Sequence, residues 1–149
     1  MVEPRLFLDT NILLRYLTND IPEQAQKVET WLRKAGTGEC VLVTHHLVLA
    51  ELAWTLLSYY QRPVPEVQST MLAILNTPGL EVEDEQILIQ ATHWFGEKNI
   101  DFIHAYTACL DAIQQPHRYP HPGPQAFPAL RGIEYPIPVE QAVSLFRAN

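Results

Sequence analysis

The chain has 149 residues, with 17 acidic and 10 basic side chains and a net charge of −7 when the histidines are neutral. That length predicts a single domain over 1–149, large enough to bury roughly 70% of its unfolded surface. The 47% hydrophobic content argues against intrinsic disorder. The acidic balance excludes a generic DNA-coating protein, which needs a basic face. It does not exclude an enzyme that meets nucleic acid through a bound metal.

Cys40 and Cys109 lie far apart in apolar surroundings and read as packing residues, not as a disulfide framework. Glu3, Pro4 and Arg5 stand where the apolar core of a secretory leader would begin. No stretch approaches the ~20 apolar residues of a membrane span. We expect a soluble, cytoplasmic protein with no membrane partner.

In chain order, Arg5 to Leu8 is an apolar run that predicts a buried strand, followed by a turn at Asp9-Thr10-Asn11. A helix is predicted from Ile12 to Thr18, and the break at Asn19-Asp20-Ile21-Pro22 carries helix-start chemistry. Gln24 to Arg33 is amphipathic, with Ala25, Val28, Trp31 and Leu32 expected inward, and Gly36-Thr37-Gly38 stops it. Cys40 to Val43 reads as a strand and His46 to Tyr60 as a long apolar helix. After Arg62-Pro63-Val64-Pro65, Glu66 to Leu75 is helical, Thr77-Pro78-Gly79 turns, and Leu80 to Val82 is a short strand. Helices are predicted over Glu85 to Phe95 and Asp101 to Gln114. Strands separated by helices predict an α/β fold with a largely parallel sheet. Seven of the twelve prolines fall within 116–138, so that segment is expected to be irregular, with a helical turn or two over Val139 to Phe146.

Asp9 follows the first strand, at the carboxyl edge where open α/β sheets bind ligands. It serves equally well as a helix cap, and position alone leaves both readings open. Glu51 is the only charged residue between Cys40 and Gln61. Its neighbours Leu47, Val48, Leu49, Leu52, Ala53 and Trp54 are apolar on every side, and such a helix is usually buried. A lone carboxylate there needs a partner or a cation. The plainer alternatives are a wet stripe on the helix or a bond to His45 or His46. Asp101 has a full explanation as the cap of the last helix, and His104 lies three residues on along the same face. Three acids from separate elements suit Mg²⁺ or Mn²⁺ if they converge.

Other chemistries lack their signatures. There is no Gly-rich phosphate loop, no G-x-S-x-G elbow and no zinc-finger spacing. His117 and His121 read as part of a solvated loop.

The run Leu6-Phe7-Leu8-Asp9-Thr10-Asn11-Ile12-Leu13-Leu14-Arg15-Tyr16-Leu17 resembles the opening motif of PIN-domain ribonucleases, specifically the VapC-type toxins. The likeness continues through Val48 to Trp54, Thr77 to Val82 and Ile100-Asp101-Phe102, covering about residues 5 to 113 in continuous order. It implies a three-layer α/β/α fold with a central, mostly parallel sheet. It also implies acids at the carboxyl edge that bind Mg²⁺ or Mn²⁺, here Asp9, Glu51 and Asp101 in catalytic and metal-binding roles.

Two positions depart from that family. Its third stretch reads Asp-Phe-x-Asp-Ala, and here it is Asp101-Phe102-Ile103-His104-Ala105. An imidazole for a carboxylate weakens Mg²⁺ binding and favours Mn²⁺ or another transition ion. The fourth acid is missing from the region around Pro124.

The resemblance implies a metal-dependent endoribonuclease, the toxin of a toxin–antitoxin pair, with RNA as substrate, an antitoxin partner and a homodimer. Thr10, Asn11, Arg15 and His104 are expected to orient ligands or substrate, with a surface salt bridge as the plainer role of Arg15. The altered third and fourth positions keep open a non-catalytic PIN domain acting as a binding or assembly module. A scaffold whose acids act only as caps is the third possibility.

Overall fold

The computed structural model describes residues 3–114 and 147. Among the described residues, nine elements follow in chain order: β1 (Arg5–Phe7), α1 (Thr10–Thr18), α2 (Pro22–Gly36), β2 (Val41–Thr44), α3 (His46–Ser58), α4 (Val64–Leu75), β3 (Leu80–Val82), α5 (Glu85–Lys98) and α6 (Phe102–Gln114). The strands form one parallel sheet in the order β1-β2-β3. Each crossover carries a pair of helices, as parallel strands require. The arrangement is the expected three-layer α/β/α fold.

Local chemistry explains the boundaries. The Asp9 carboxylate accepts from the Ile12 N–H at 2.8 Å, so α1 begins at Thr10, two residues earlier than expected. Asn19 takes the left-handed conformation (φ 54°) and donates its N–H to the Arg15 carbonyl, ending α1. Pro22 opens α2 at a position where no N–H is needed, and Arg33 and Lys34 face its negative end. Pro63 and Pro65 bracket the start of α4 in the same way.

β2 runs through the middle, and Leu42 on it is fully buried. Leu49, Leu52 and Leu56 of α3, Met71 of α4, Leu88 and Phe95 of α5 and Cys109 of α6 complete the best-shielded part of the core. Both cysteines are buried and free, as expected. Burial pushes the Cys109 thiol up to about 12, and the more distant Lys98 charge pulls weakly the other way.

Three expectations need correction. β1 was expected to be buried, yet Arg5 and Phe7 are exposed and Leu6 is half-buried. Among the described residues β1 pairs on one side only, so one edge stays open. Trp31 was expected inward with Ala25 and Val28, but it is exposed and its ring lies 5.2 Å from the Lys34 ammonium. Glu51 was placed on a buried helix, yet it is exposed, because Leu47 (64%) and Trp54 (66%) share its open face of α3. The Pro-rich segment 116–138, the helical turns over 139–146 and the region of the missing fourth acid lie outside the described residues.

Gly79 lets β3 start hard against the last turn of α2. Its φ is +76°, and a Cβ there would sit 2.5 Å from the Ala35 carbonyl oxygen. Gly38 has a similar φ of +79° but open space around it. We expect Gly79→Ala to destabilise by more than about 2 kcal/mol and Gly38→Ala by about 1 kcal/mol. Urea unfolding of the pair checks this; equal losses would show that the close approach is unimportant.

Candidate functional site

The carboxyl edge of the sheet gathers the polar side chains. Parallel register pairs Phe7 with Val43, and Leu8 donates its N–H to the Val43 carbonyl at 2.8 Å. The buried Thr44 hydroxyl donates to the Leu8 carbonyl at 2.9 Å, tying the ends of β1 and β2 together. Asp9 and His45 each follow one residue beyond that link. On the far side Thr44 pairs with Val82, so Glu83 and Asp84 leave β3 at the same level.

Glu51 lies five residues into α3 from His46, about 7.5 Å along the axis. Its Oε2 accepts from the buried Thr10 hydroxyl at 2.5 Å, a contact between residues 41 apart in sequence. This bond carries Glu51 to the first residue of α1, next to Asp9. Both carboxylates are exposed, so hydration supports their charges without a buried partner. The alternative of a bond from Glu51 to His45 or His46 is replaced by the bond from Thr10.

Asp101 and His104 pair with each other instead, Nδ1 to Oδ2 at 3.4 Å, with both side chains well exposed. The Asp101 carbonyl accepts from the Ala105 N–H, which starts α6. Among the described residues no three of His, Cys, Asp and Glu gather as a metal-ligand set. The structure therefore brings Asp9, Thr10 and Glu51 together and holds Asp101 with His104 as a separate pair.

A cavity of about 480 Å³ opens beside β1, lined in part by Asp9, Asn11, Arg15, Lys27, Phe7 and Trp31. Arg15 forms the plainer salt bridge, with Asp20. Such half-exposed pairs contribute little to stability, so the guanidinium is available to other anions at small cost. The sequence gives Lys27 no role and places Trp31 inward, so neither is legible as a cavity residue. Both sit on the outward side of α2.

From sequence, His45 reads only as a bond partner of Glu51. In the structure it caps α3, with its Nδ1 accepting from the Leu47 N–H at 3.3 Å. Its ring packs on His46 at 4.2 Å, and His46 stacks on Tyr106 of α6 at 5.3 Å and 6°. Burial, and secondarily the charge of Asp84, raises the Tyr106 pKa above its ordinary value, so the ring stays a neutral phenol.

The donors suit a hard divalent cation. Mg²⁺ and Mn²⁺ take oxygen ligands, and Mg²⁺ is commonly held by one or two carboxylates plus waters. Asp9 and Glu51 each use one oxygen in the bonds above and have a second oxygen besides. With an α/β/α sandwich and acids at the carboxyl edge established, the family follows. The PIN domain model matches residues 6–114, and the chain belongs to the PIN domain family. PIN domains are in general nucleases, usually metal-dependent, that act on RNA. No curated protein and no solved structure matches the chain. Among the described residues no helix is long and apolar enough to cross a membrane.

Asp9 has two separable properties, a cap and a charge. We expect Asp9→Ala to cost about 1 kcal/mol of stability, and Asp9→Asn, which still caps, less than half of that. Chemical denaturation measures both, and equal losses would mean that the cap bond is not what the carboxylate contributes to the fold.

Proposed function

We propose that this PIN domain is a metal-dependent endoribonuclease, the toxin component of a toxin–antitoxin system. The observation that carries the reading is the 2.5 Å bond from Thr10 to Glu51, which sets two carboxylates from distant segments at one corner of the sheet. Asp9 and Glu51 would hold Mg²⁺ or Mn²⁺, and Asp101, which the structure pairs with His104, would have to leave that pair to add a third carboxylate. When bound, the cation lowers the pKa of water and offsets charge on the phosphodiester being hydrolysed.

The chain's own groups do the positioning. Thr10 fixes the Glu51 carboxylate, and the α1 cap fixes that of Asp9. Asn11 and Arg15 line the adjoining cavity, where an amide and a guanidinium meet the RNA backbone. Lys27, paired with Glu23 at 3.4 Å, adds a second exposed cation there that RNA phosphate can recruit. His104 orients Asp101. The family membership supports an antitoxin protein and a second copy of the chain as partners, and the cytoplasm as the place of action.

A second reading, a binding module that has lost catalysis, is favoured by one observation. Asp101 pairs with His104, and no three-ligand set forms among the described residues. One experiment separates the two. Purified protein is incubated with mixed RNAs in Mg²⁺, in Mn²⁺ and in EDTA, beside Asp9→Asn. The nuclease reading expects cleavage in metal, none in EDTA, and a loss on the order of 100-fold or more in Asp9→Asn. Cleavage indifferent to EDTA or to Asp9→Asn overturns it. RNA bound without cleavage favours the binding module.

A further inference from the structure

A line of rings crosses the molecule from core to carboxyl edge. Phe95 and Phe102 are buried and meet edge to face at 6.3 Å. Phe102 stacks on Tyr106 at 6.4 Å, Tyr106 on His46 at 5.3 Å, and His46 meets His45 at 4.2 Å. The first three rings are backed by the core, so the line is anchored rather than free to swing. Among the described residues His45 has no ring partner on its other side, and it is half-buried. The line therefore ends in an aromatic face one residue past the Thr44–Leu8 link, level with Asp9.

Two details favour a ligand contact over simple packing. His45 Nδ1 accepts from the Leu47 N–H, so the neutral ring must carry its proton on Nε2 and can offer one donor. His46 Nδ1 is buried without a hydrogen-bond partner among the described residues. An unpaired buried nitrogen is unfavourable, and His46 carries it at the start of α3 while its ring stacks on Tyr106. Local sacrifices of this kind concentrate at functional sites.

We infer that the His45–His46–Tyr106 column is a base-stacking platform: a nucleobase of single-stranded RNA next to the phosphate at Asp9 and Glu51 stacks on His45. Every base has a π-face, so stacking of this kind tolerates any sequence and sets position more than identity. The Nε2–H adds one donor for an acceptor on the stacked nucleotide. The inference rests on RNA being the substrate of the site proposed above, and it adds a positioning residue to it.

Two substitutions separate the ring from the cap. His45→Asn keeps a cap for α3 and removes the ring. His45→Phe keeps the ring and removes the cap. Both are placed in the full chain carrying Asp9→Asn, and mixed with short single-stranded RNAs holding one 2-aminopurine at successive positions. We expect fluorescence quenching at one position, affinity about ten-fold weaker in His45→Asn, and near-parental affinity in His45→Phe. Equal affinities in the two variants, or no RNA bound at all, overturn the platform. Quenching that depends on the ring, alongside wild-type protein that cleaves nothing in Mn²⁺, keeps the platform and defeats the nuclease. Metal-dependent cleavage by the chain with Asp9 intact that ignores either His45 substitution, with no ring-dependent quenching, does the reverse.

Discussion

The register of β2 between its two neighbours governs the molecule. Leu42 has no exposed surface, and its N–H reaches the Gly79 carbonyl while its strand pairs with β1 on the other side. A slip of one residue would turn Leu42 outward and move Thr44 away from Leu8. It would also shift Asp9, His45 and Glu83 out of line at the carboxyl edge. The polar corner is thus a by-product of apolar pairing, and its geometry is as firm as the core beneath it. The Arg5–Glu81 pair at 2.5 Å reaches over β2, but both groups are more than half exposed and it contributes little to that register.

Much of this organisation was legible from the residues. The alternation of strand and helix, the limits of β3 and the start of α3 followed from apolar runs and from proline and glycine punctuation. Glu81, Glu83, Asp84 and Glu85 are all exposed at the junction after β3, as a charge run at a solvated turn should be. The failures share a cause. Phe7, Trp31, Leu47 and Trp54 are apolar residues that face outward. Composition cannot tell an apolar side chain that faces a core from one left open, and the all-round apolar helix around Glu51 was the extreme case.

The corner itself was legible only in part. Asp9 and Glu51 could be picked out one by one, each with a structural alternative beside it. The bond between Thr10 and Glu51 spans 41 residues, and no local pattern announces it. The two readings of Asp9 turn out to coexist: its carboxylate caps α1 through one oxygen and still belongs to the corner. Asp101 and His104 meet because three residues separate them on one helix face, a spacing the sequence shows.

The thiol of Cys109 carries a consequence of another kind. Cys109 is 1% exposed, and burial holds its pKa well above the ordinary thiol value, so the thiolate is scarce at neutral pH. Alkylating agents and peroxide attack the thiolate, so in the native fold this sulfur is chemically silent. Modification then requires a local opening around Cys109 that exposes the sulfur. The rate of Cys109 labelling becomes a clock for that opening, and oxidative stress reaches the sulfur only in molecules already coming apart.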